Sequence, residues 1–290
     1  MARFGPAQNT GSSVVALNSI NTNVGAMQAL AALAAVNRDL ATTQSRISTG
    51  LKVASAKDNG AIWAMAQSQR SELSALDSVT SSLQRGQSIV DVAVSGGETI
   101  SDLLNQMKEK ALAASDPSLD ASAKAALSAD YVALRKQIDI AANNASFNGV
   151  SLISAGSTGQ VKALANSQAS STIDVDHVDL STTGSLLSGI PADLTATVTP
   201  TMLNSISTAM NGVNSAVAHL GTGSKALDTH LTFISKLHDT MEGAIGRLVD
   251  ADMAKEAANL QALQVKQQLA IQALSIANQG PSLLLQLFRN

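Results

Sequence analysis

Apolar residues recur along this chain at helical spacing, most cleanly between Leu203 and Leu248. Leu203, Ile206, Met210, Val213, Val217, Leu220, Leu227, Leu231, Ile234, Met241, Ile245 and Leu248 mark steps of three and four, with Ser224 and His238 in the two polar places. That period is the seam of a coiled-coil helix. A second long pattern runs from Ala61 to about Ala114, with Ile62, Leu76, Leu83, Val90 and Leu104 at multiples of seven and Leu73 and Val94 in the other seam position. Gly96-Gly97 is its weak point, and Asp116-Pro117 ends it. Asp120 is placed to cap a third helix reading Leu127, Tyr131, Leu134, Ile138, Ala142.

The two ends are patterned differently. From Glu256 to Gln279, at about 100° per residue, Leu260, Leu263, Ile271 and Leu274 fall on one side, and Ala262, Val265, Leu269, Ala273 and Ile276 on the other. Glutamines fill the strips between, and Lys266 is the only charge from Ala257 to Phe288. A surface helix carries one apolar stripe, so two opposed stripes imply packing on both sides. The N-terminal segment shares the habit, with no charge between Arg3 and Arg38 and a small-residue heptad of Ala26, Leu33, Leu40, Ile47 with Ala29, Val36, Thr43. Asn18 to Asn23 offers several N-caps, and Thr49-Gly50 interrupts the repeat.

The expectation is that the two ends pair and are then enclosed by other copies of the molecule. Full burial of the large aliphatic side chains in 256–279 would contribute on the order of 10–20 kcal/mol, and one face alone about half. Ordering those residues costs roughly 1.5 kcal/mol each before hydrogen bonding. Both ends are therefore expected to become helical only on assembly.

Between the helices, Phe147-Asn148-Gly149-Val150 carries the Asn-Gly hairpin signal. Residues 150–200 are rich in Ser, Thr and Gly with β-branched pieces such as Thr172-Ile173-Asp174-Val175, read as a small β element. The expected fold is mainly α: an elongated rod of coiled-coil helices from both halves of the chain. A small β-hairpin region caps one end, and the paired terminal helices leave from the other.

Composition narrows the function. The chain has 290 residues, 45% hydrophobic and only 2% aromatic, with a net charge of −3 and no cysteine. Scattered Lys and Arg give no footprint for nucleic acid and no basic face for a membrane. Neither a thiol catalyst nor a disulfide framework is available. Gly25–Val36 is apolar enough for a signal-peptide core, but Arg3, its only preceding base, is too far away. No membrane insertion is expected either: Val24–Val36 is too short to span, and the C-terminal run is cut at Asn278-Gln279-Gly280-Pro281.

Candidate chemistry is sparse. His177, His219, His230 and His238 have no metal-ligand spacing. His238, in the seam, is the one whose protonation would loosen packing as pH falls. Asp174, Asp176 and Asp179 lack the closing Glu of a calcium loop. Gly221-Thr222-Gly223 lies in a helical seam and reads as a flexible point, and Asn144-Ala145-Ser146 matches a glycosylation pattern in form only. No catalytic constellation and no cofactor site is expected; the chain does not read as an enzyme.

Several segments resemble one family. Asn18-Ser19-Ile20-Asn21-Thr22-Asn23 and the run Ser45-Arg46-Ile47-Ser48-Thr49-Gly50-Leu51-Lys52-Val53-Ala54-Ser55-Ala56-Lys57-Asp58 are similar to the N-terminal signature of bacterial flagellin. Phe147 to Leu152 resembles its entry into a β-hairpin. Arg247-Leu248-Val249-Asp250-Ala251-Asp252 and Ala277 through Phe288 resemble its C-terminal signature. The hook–filament junction protein has similar ends; the contiguous Ser45–Asp58 match favours flagellin. A cytoplasmic coiled-coil scaffold would explain the heptads but not the charge-free ends.

The resemblance implies a short flagellin without large outer domains, self-assembling into the extracellular flagellar filament for swimming. It implies export unfolded through the type III apparatus with an export chaperone, contacts with junction and cap proteins, and exposed Ser/Thr as O-glycan sites. By the same analogy residues 17–47 and 250–290 form an inner tube, and 48–249, including the variable region at about 150–200, the surrounding rod. Residues 1–16 read as an extension, with 1–14 upstream of a true start at Val15. Gln106 and Lys110 depart from the residues that innate receptors recognise in some flagellins. Assembly contacts are expected at Leu33, Leu40, Arg46, Ile47, Asp58, Arg247, Asp250, Leu260, Leu263, Val265, Leu269, Ile271, Leu274, Ile276, Leu284 and Leu287.

Overall fold

A computed structural model describes residues 22–157, 159–194 and 198–287, the side chains of 280–287 excepted. The predicted extension 1–16 and the start at Val15 lie outside the described residues. The fold is mainly α: helices α1 (Val24–Thr49), α2 (Gly60–Ala114), α3 (Ala121–Asn144), α4 (Pro200–Val249) and α5 (Met253–Leu287), with strands β1 (Val161–Leu164) and β2 (Thr172–Val175) between α3 and α4. The chain divides into two compact units, Met1–Gln67 with Ile245–Asn290, and Ser68–Ala244.

Within Ser68–Ala244, called the inner unit because it holds the inner part of the sequence, α2 and α4 run antiparallel. Asp77 lies opposite His238, Asp91 accepts a hydrogen bond from Ser224, and Ser101 donates to Asn214. The heptads predicted for both helices supply the core: Leu76, Leu83, Val90 and Leu104 of α2 and Ile206, Val213, Leu220, Leu227 and Ile234 of α4 are buried. Helix α3, capped by Asp120 Oδ1 accepting from the Ala123 N–H at 2.7 Å, adds Tyr131, Ile138 and Ala142.

Helix α2 passes unbroken through Gly96-Gly97, which the sequence marks as weak. A Cβ on Gly96 would lie 2.7 Å from Ala145 Cβ, and one on Gly97 2.5 Å from Val217 Cγ2. The glycines are there to admit neighbours. Gly223 does the same for Val175 of β2, whose Cγ2 is 2.9 Å from where its Cβ would be, so Gly221-Thr222-Gly223 is a seat and no hinge.

The small β element predicted within 150–200 is present, but the Asn-Gly signal does not form its hairpin. Phe147 and Val150 close a tight turn with positive φ at Asn148 and Gly149, as an Asn-Gly turn demands, but no strands flank it. Among the described residues the sheet is β1 and β2, paired antiparallel with Val161 opposite Val175 and Leu164 opposite Thr172. It does not cap an end of the unit. Val161 and Ala163 sit against Gly86, well inside α2. The rest of the segment is irregular yet buries Leu152, Ile153, Leu180, Leu187, Ile190 and Leu194. Asp139 anchors it by accepting from the Thr182 N–H and hydroxyl, both at 2.8 Å, and Tyr131 donates to the Pro191 carbonyl at 3.1 Å.

Candidate assembly interface

Helices α1 and α5 lie antiparallel against each other. Asn23 caps α1 by accepting from the Ala26 N–H at 2.9 Å, while its Nδ2 donates to the Ala277 carbonyl at 2.8 Å. Midway, Gln267 donates to Asn37 at 2.8 Å. Near the other end Arg46 meets Glu256 at 3.3 Å. The α1 heptad lands as the sequence predicts: Ala26, Ala29, Leu33, Val36, Leu40, Thr43 and Ile47 are all among the more covered positions of the helix, with Val24, Ala35 and Arg46 beside them.

On α5 the more covered positions are Leu260, Leu263, Gln267, Ala270, Leu274 and Ala277, in steps of three and four. Ile271, expected among them, is 52% exposed. The expectation used 3.6 residues per turn, but a two-helix seam holds to 3.5, and over eleven residues that drift moves Ile271 off the seam and puts Ala270 on it. Val265, Leu269 and Ile276 form the second stripe, and 56 to 70% of each is exposed. On α1, Met27 and Leu30 are likewise uncovered. Leu284 and Leu287 belong to α5, but their side chains lie outside those described.

The charged candidates gather where α1 ends and α5 begins. Gly50, with φ of 71°, terminates α1 by donating to the Arg46 carbonyl at 2.8 Å. The chain then bridges Leu51 to Asp250, with Lys52 donating to the Val249 carbonyl and Ala251 to that of Gly50. Asp58 Oδ2 accepts from the Ala54 and Ser55 N–H groups and the Ser55 hydroxyl. The Ser55 donors hold its pKa below the ordinary carboxylate value, with Ala54 and the Arg46 charge adding to them. Asp58 therefore shapes the turn after α1 within its own chain. Arg247 and Asp250 are exposed and take part in no ion pair among the described residues.

Asn23 is the N-cap among the Asn18–Asn23 candidates, whereas Glu256, Met27 and Leu30 were not among the expected contacts. Glu256 is 7% exposed, with Oε2 unpaired beside the bonded Oε1, and its signal was position: the last acid of the sequence, before a run whose only charge up to Phe288 is Lys266.

Elsewhere the suspected chemistry finds local partners. His177 bonds the Ser154 carbonyl and His230 that of Ala165. His238 sits 3.5 Å from Asp77 and 3.9 Å from Asp239, so a charged ring there meets carboxylates and not buried hydrocarbon. Asp174 lies across from Lys162, Asp176 accepts from Gln160, and Asp179 accepts from the Ser181 N–H. Among the described residues no group of three or more His, Cys, Asp or Glu is placed to hold a metal, and no helix is long and apolar enough to cross a membrane.

Residues 20–158 match the bacterial flagellin N-terminal helical region and residues 203–288 the bacterial flagellin C-terminal helical region. Flagellin FljK of Caulobacter vibrioides is 53% identical over 95% of this chain and all of its own length, and FljM of the same organism 52% identical over the same shares. A flagellin of Brucella melitensis is 34% identical over 93% of this chain and 99% of its own length. Nothing among these favours the junction protein. With both helical regions matched and relatives aligned along their whole length, the chain belongs to the bacterial flagellins, the structural subunits of the flagellar filament.

Proposed function

We propose that this chain polymerises through the faces of α1 and α5 that its own fold leaves uncovered. The carrying observation is the second stripe of α5, Val265, Leu269 and Ile276, exposed together with Ile271 and with Met27 and Leu30 of α1. Covering the remaining half of these six side chains is worth on the order of 5–10 kcal/mol per copy. Leu33, Leu40, Ile47, Leu260, Leu263 and Leu274 close the pair inside each chain and set the angle at which the second faces are presented. Arg46, Asp58, Arg247 and Asp250 fix the junction at the base of the pair, and the sequence carries further large apolar residues, Leu284 and Leu287 among them, toward the C-terminus.

In this reading residues 17–47 and 250–290 line the inside of the filament and 48–249 surround them. Such ends, left in water, favour aggregation, which is a physical reason for an export chaperone and for passage through the type III apparatus before folding. Junction and cap proteins at the two tips would meet the same apolar faces, and the polymer works outside the cell as the swimming propeller.

The test is to add concentrated monomer to short filament fragments and follow the mixture by electron microscopy. Long tubes are expected. Short stubs would mean a junction protein, and no growth at all would sink the reading.

A further inference from the structure

The chain has no cysteine, so its eight methionines hold all of its sulfur. They are divided unevenly between the two units. In the unit formed by the chain's two ends, every described methionine is exposed: Met27 by 62%, Met65 by 54% and Met253 by 45%. In the inner unit Met107 is fully enclosed, and Met202, Met210 and Met241 are partly covered. A thioether in water is open to two-electron oxidation, whereas an enclosed one is shielded.

The three exposed sulfurs differ in their surroundings. One helical turn from Met65 stand Ser68 and Gln69, and one turn from Met253 stands Glu256, so an added oxygen there joins polar groups. Met27 has Asn23, Val24, Leu30 and Ala31 at the same spacing. The polar one of these, Asn23, is already held at both ends of its amide: Oδ1 accepts from the Ala26 N–H, and Nδ2 donates to the Ala277 carbonyl. It cannot turn toward an added oxygen without breaking those bonds. No charge lies between Arg3 and Arg38 either. With Leu30, 57% exposed, Met27 stands on the side of α1 that α5 leaves in water.

We propose that Met27 is a reversible oxidation site that decides whether a copy can join the polymer. This rests on the filament reading, since it needs the Met27 face to be enclosed by another copy. The oxidant is a peroxide. A lone pair of the Met27 sulfur attacks one peroxide oxygen, the O–O bond breaks, the S–O bond forms, and the displaced oxygen leaves as water after taking up a proton. Sulfur gives up two electrons and the peroxide receives them. The sulfoxide is a strong hydrogen-bond acceptor where an apolar group stood. In the free chain water satisfies it. When a neighbouring copy covers the face, that water must leave, and the oxygen is shut in among Val24, Leu30 and Ala31. Incorporation in turn shields the sulfur, so the site responds only before a copy is built in. A methionine sulfoxide reductase returns it to the thioether.

The test treats unassembled protein with hydrogen peroxide, maps the oxygen by peptide mass and follows seeded elongation. Met27, Met65 and Met253 should each gain one oxygen before Met107 does, and elongation should slow about tenfold or more. Reductase treatment should restore it. Met27→Leu, close in volume, should elongate normally and continue to do so after peroxide, whereas M65L/M253L should remain sensitive. Met27→Gln, which puts a polar group at similar reach, should elongate slowly with no oxidant present. In preformed filaments the same peroxide dose should leave Met27 unoxidised. Peroxide sensitivity unchanged in Met27→Leu, normal elongation by Met27→Gln, or Met27 oxidised as fast in filaments as in the free chain would overturn the inference. Failure of the unaltered, unoxidised protein to elongate seeds would instead remove the reading beneath it.

Discussion

Around Leu104 and Tyr131 of the inner unit, side chains lose all contact with water, while along the described parts of α1 and α5 the only buried residues are Thr43 and Glu256, both polar. The two regions draw on the same amino acids. They differ in how many layers surround each side chain. In the inner unit a Leu or Ile of α2 meets α3, α4 and the irregular segment, so water is excluded from every side. Two helices alone cover one strip each, and the terminal pair keeps a second strip in water. Closure in the first region is a property of the chain, and in the second it waits for other chains.

The largest effect expected from this difference is on polymerisation. An L269S/I276S variant should lose seeded elongation by a factor of about 100 or more, because two uncovered contacts vanish from every copy. Its thermal unfolding should stay where it was, since neither side chain supports a core. In dilute, unpolymerised protein, brief trypsin treatment should remove both ends by cutting after Arg38, Arg46, Lys255 and Lys266, while residues 68–244 survive. Normal elongation by the variant, or intact ends after digestion, would break the comparison.

Next in size is the same substitution made in both regions. Leu104→Ala empties a fully enclosed site and should cost about 3–5 kcal/mol in urea unfolding. Leu263→Ala, in the half-covered seam, should cost about 1–2 kcal/mol. Equal losses would mean that the terminal pair is already a closed core.

The sequence announced the helices well and the seating of the middle poorly. The limits of α2, α3 and α4 were legible because each combines an unbroken period with an identifiable cap or stop, such as Asn59 Oδ1 accepting from the Ile62 N–H at 3.1 Å. All seven seam residues of α1 were legible because the heptad is strict. Glycine misled the reading twice. Gly96-Gly97 and Gly223 looked like weak points, but helix propensity is a local quantity and their use is tertiary. The Ser/Thr-rich segment looked loose because its polar residues hide how often Leu and Ile recur. On the interface, both stripes of α5 were visible but Ile271 was placed on the wrong one. A helical wheel drawn at 3.6 residues does not know that a partner will hold it to 3.5.

Alkaline pH offers a probe of the closed region alone. Tyr131 is the sole tyrosine, and burial pushes its pKa up to about 12, with Arg135 opposing and Asp193 adding slightly. A raised folded-state pKa means that stability is fully present below the unfolded value of about 10 and falls as pH climbs toward 12. The expected result is an ultraviolet titration of the phenol displaced upward in the native protein, with the unfolding temperature dropping over the same interval. A titration near pH 10 without unfolding would show that water already reaches the ring.

The smallest effect belongs to Asp58, at the foot of the open region. Its carboxylate is exposed, and its pKa is lowered mainly by the Ser55 N–H and hydroxyl, then by Ala54 and Arg46. A depressed pKa contributes stability above the unfolded value of about 3.9 and loses it as pH falls through the folded one. Because the group is solvated, the consequence should be local. Asp58→Asn, which keeps one acceptor oxygen but no charge, should speed amide exchange at Ala54 and Ser55 at neutral pH, and in the unaltered protein the same two amides should lose protection only below about pH 4. Neither change should move the unfolding of residues 68–244. Exchange at these amides that is indifferent to both the substitution and acid would show that the turn after α1 is held by its backbone alone, with Asp58 left free to meet a neighbouring copy.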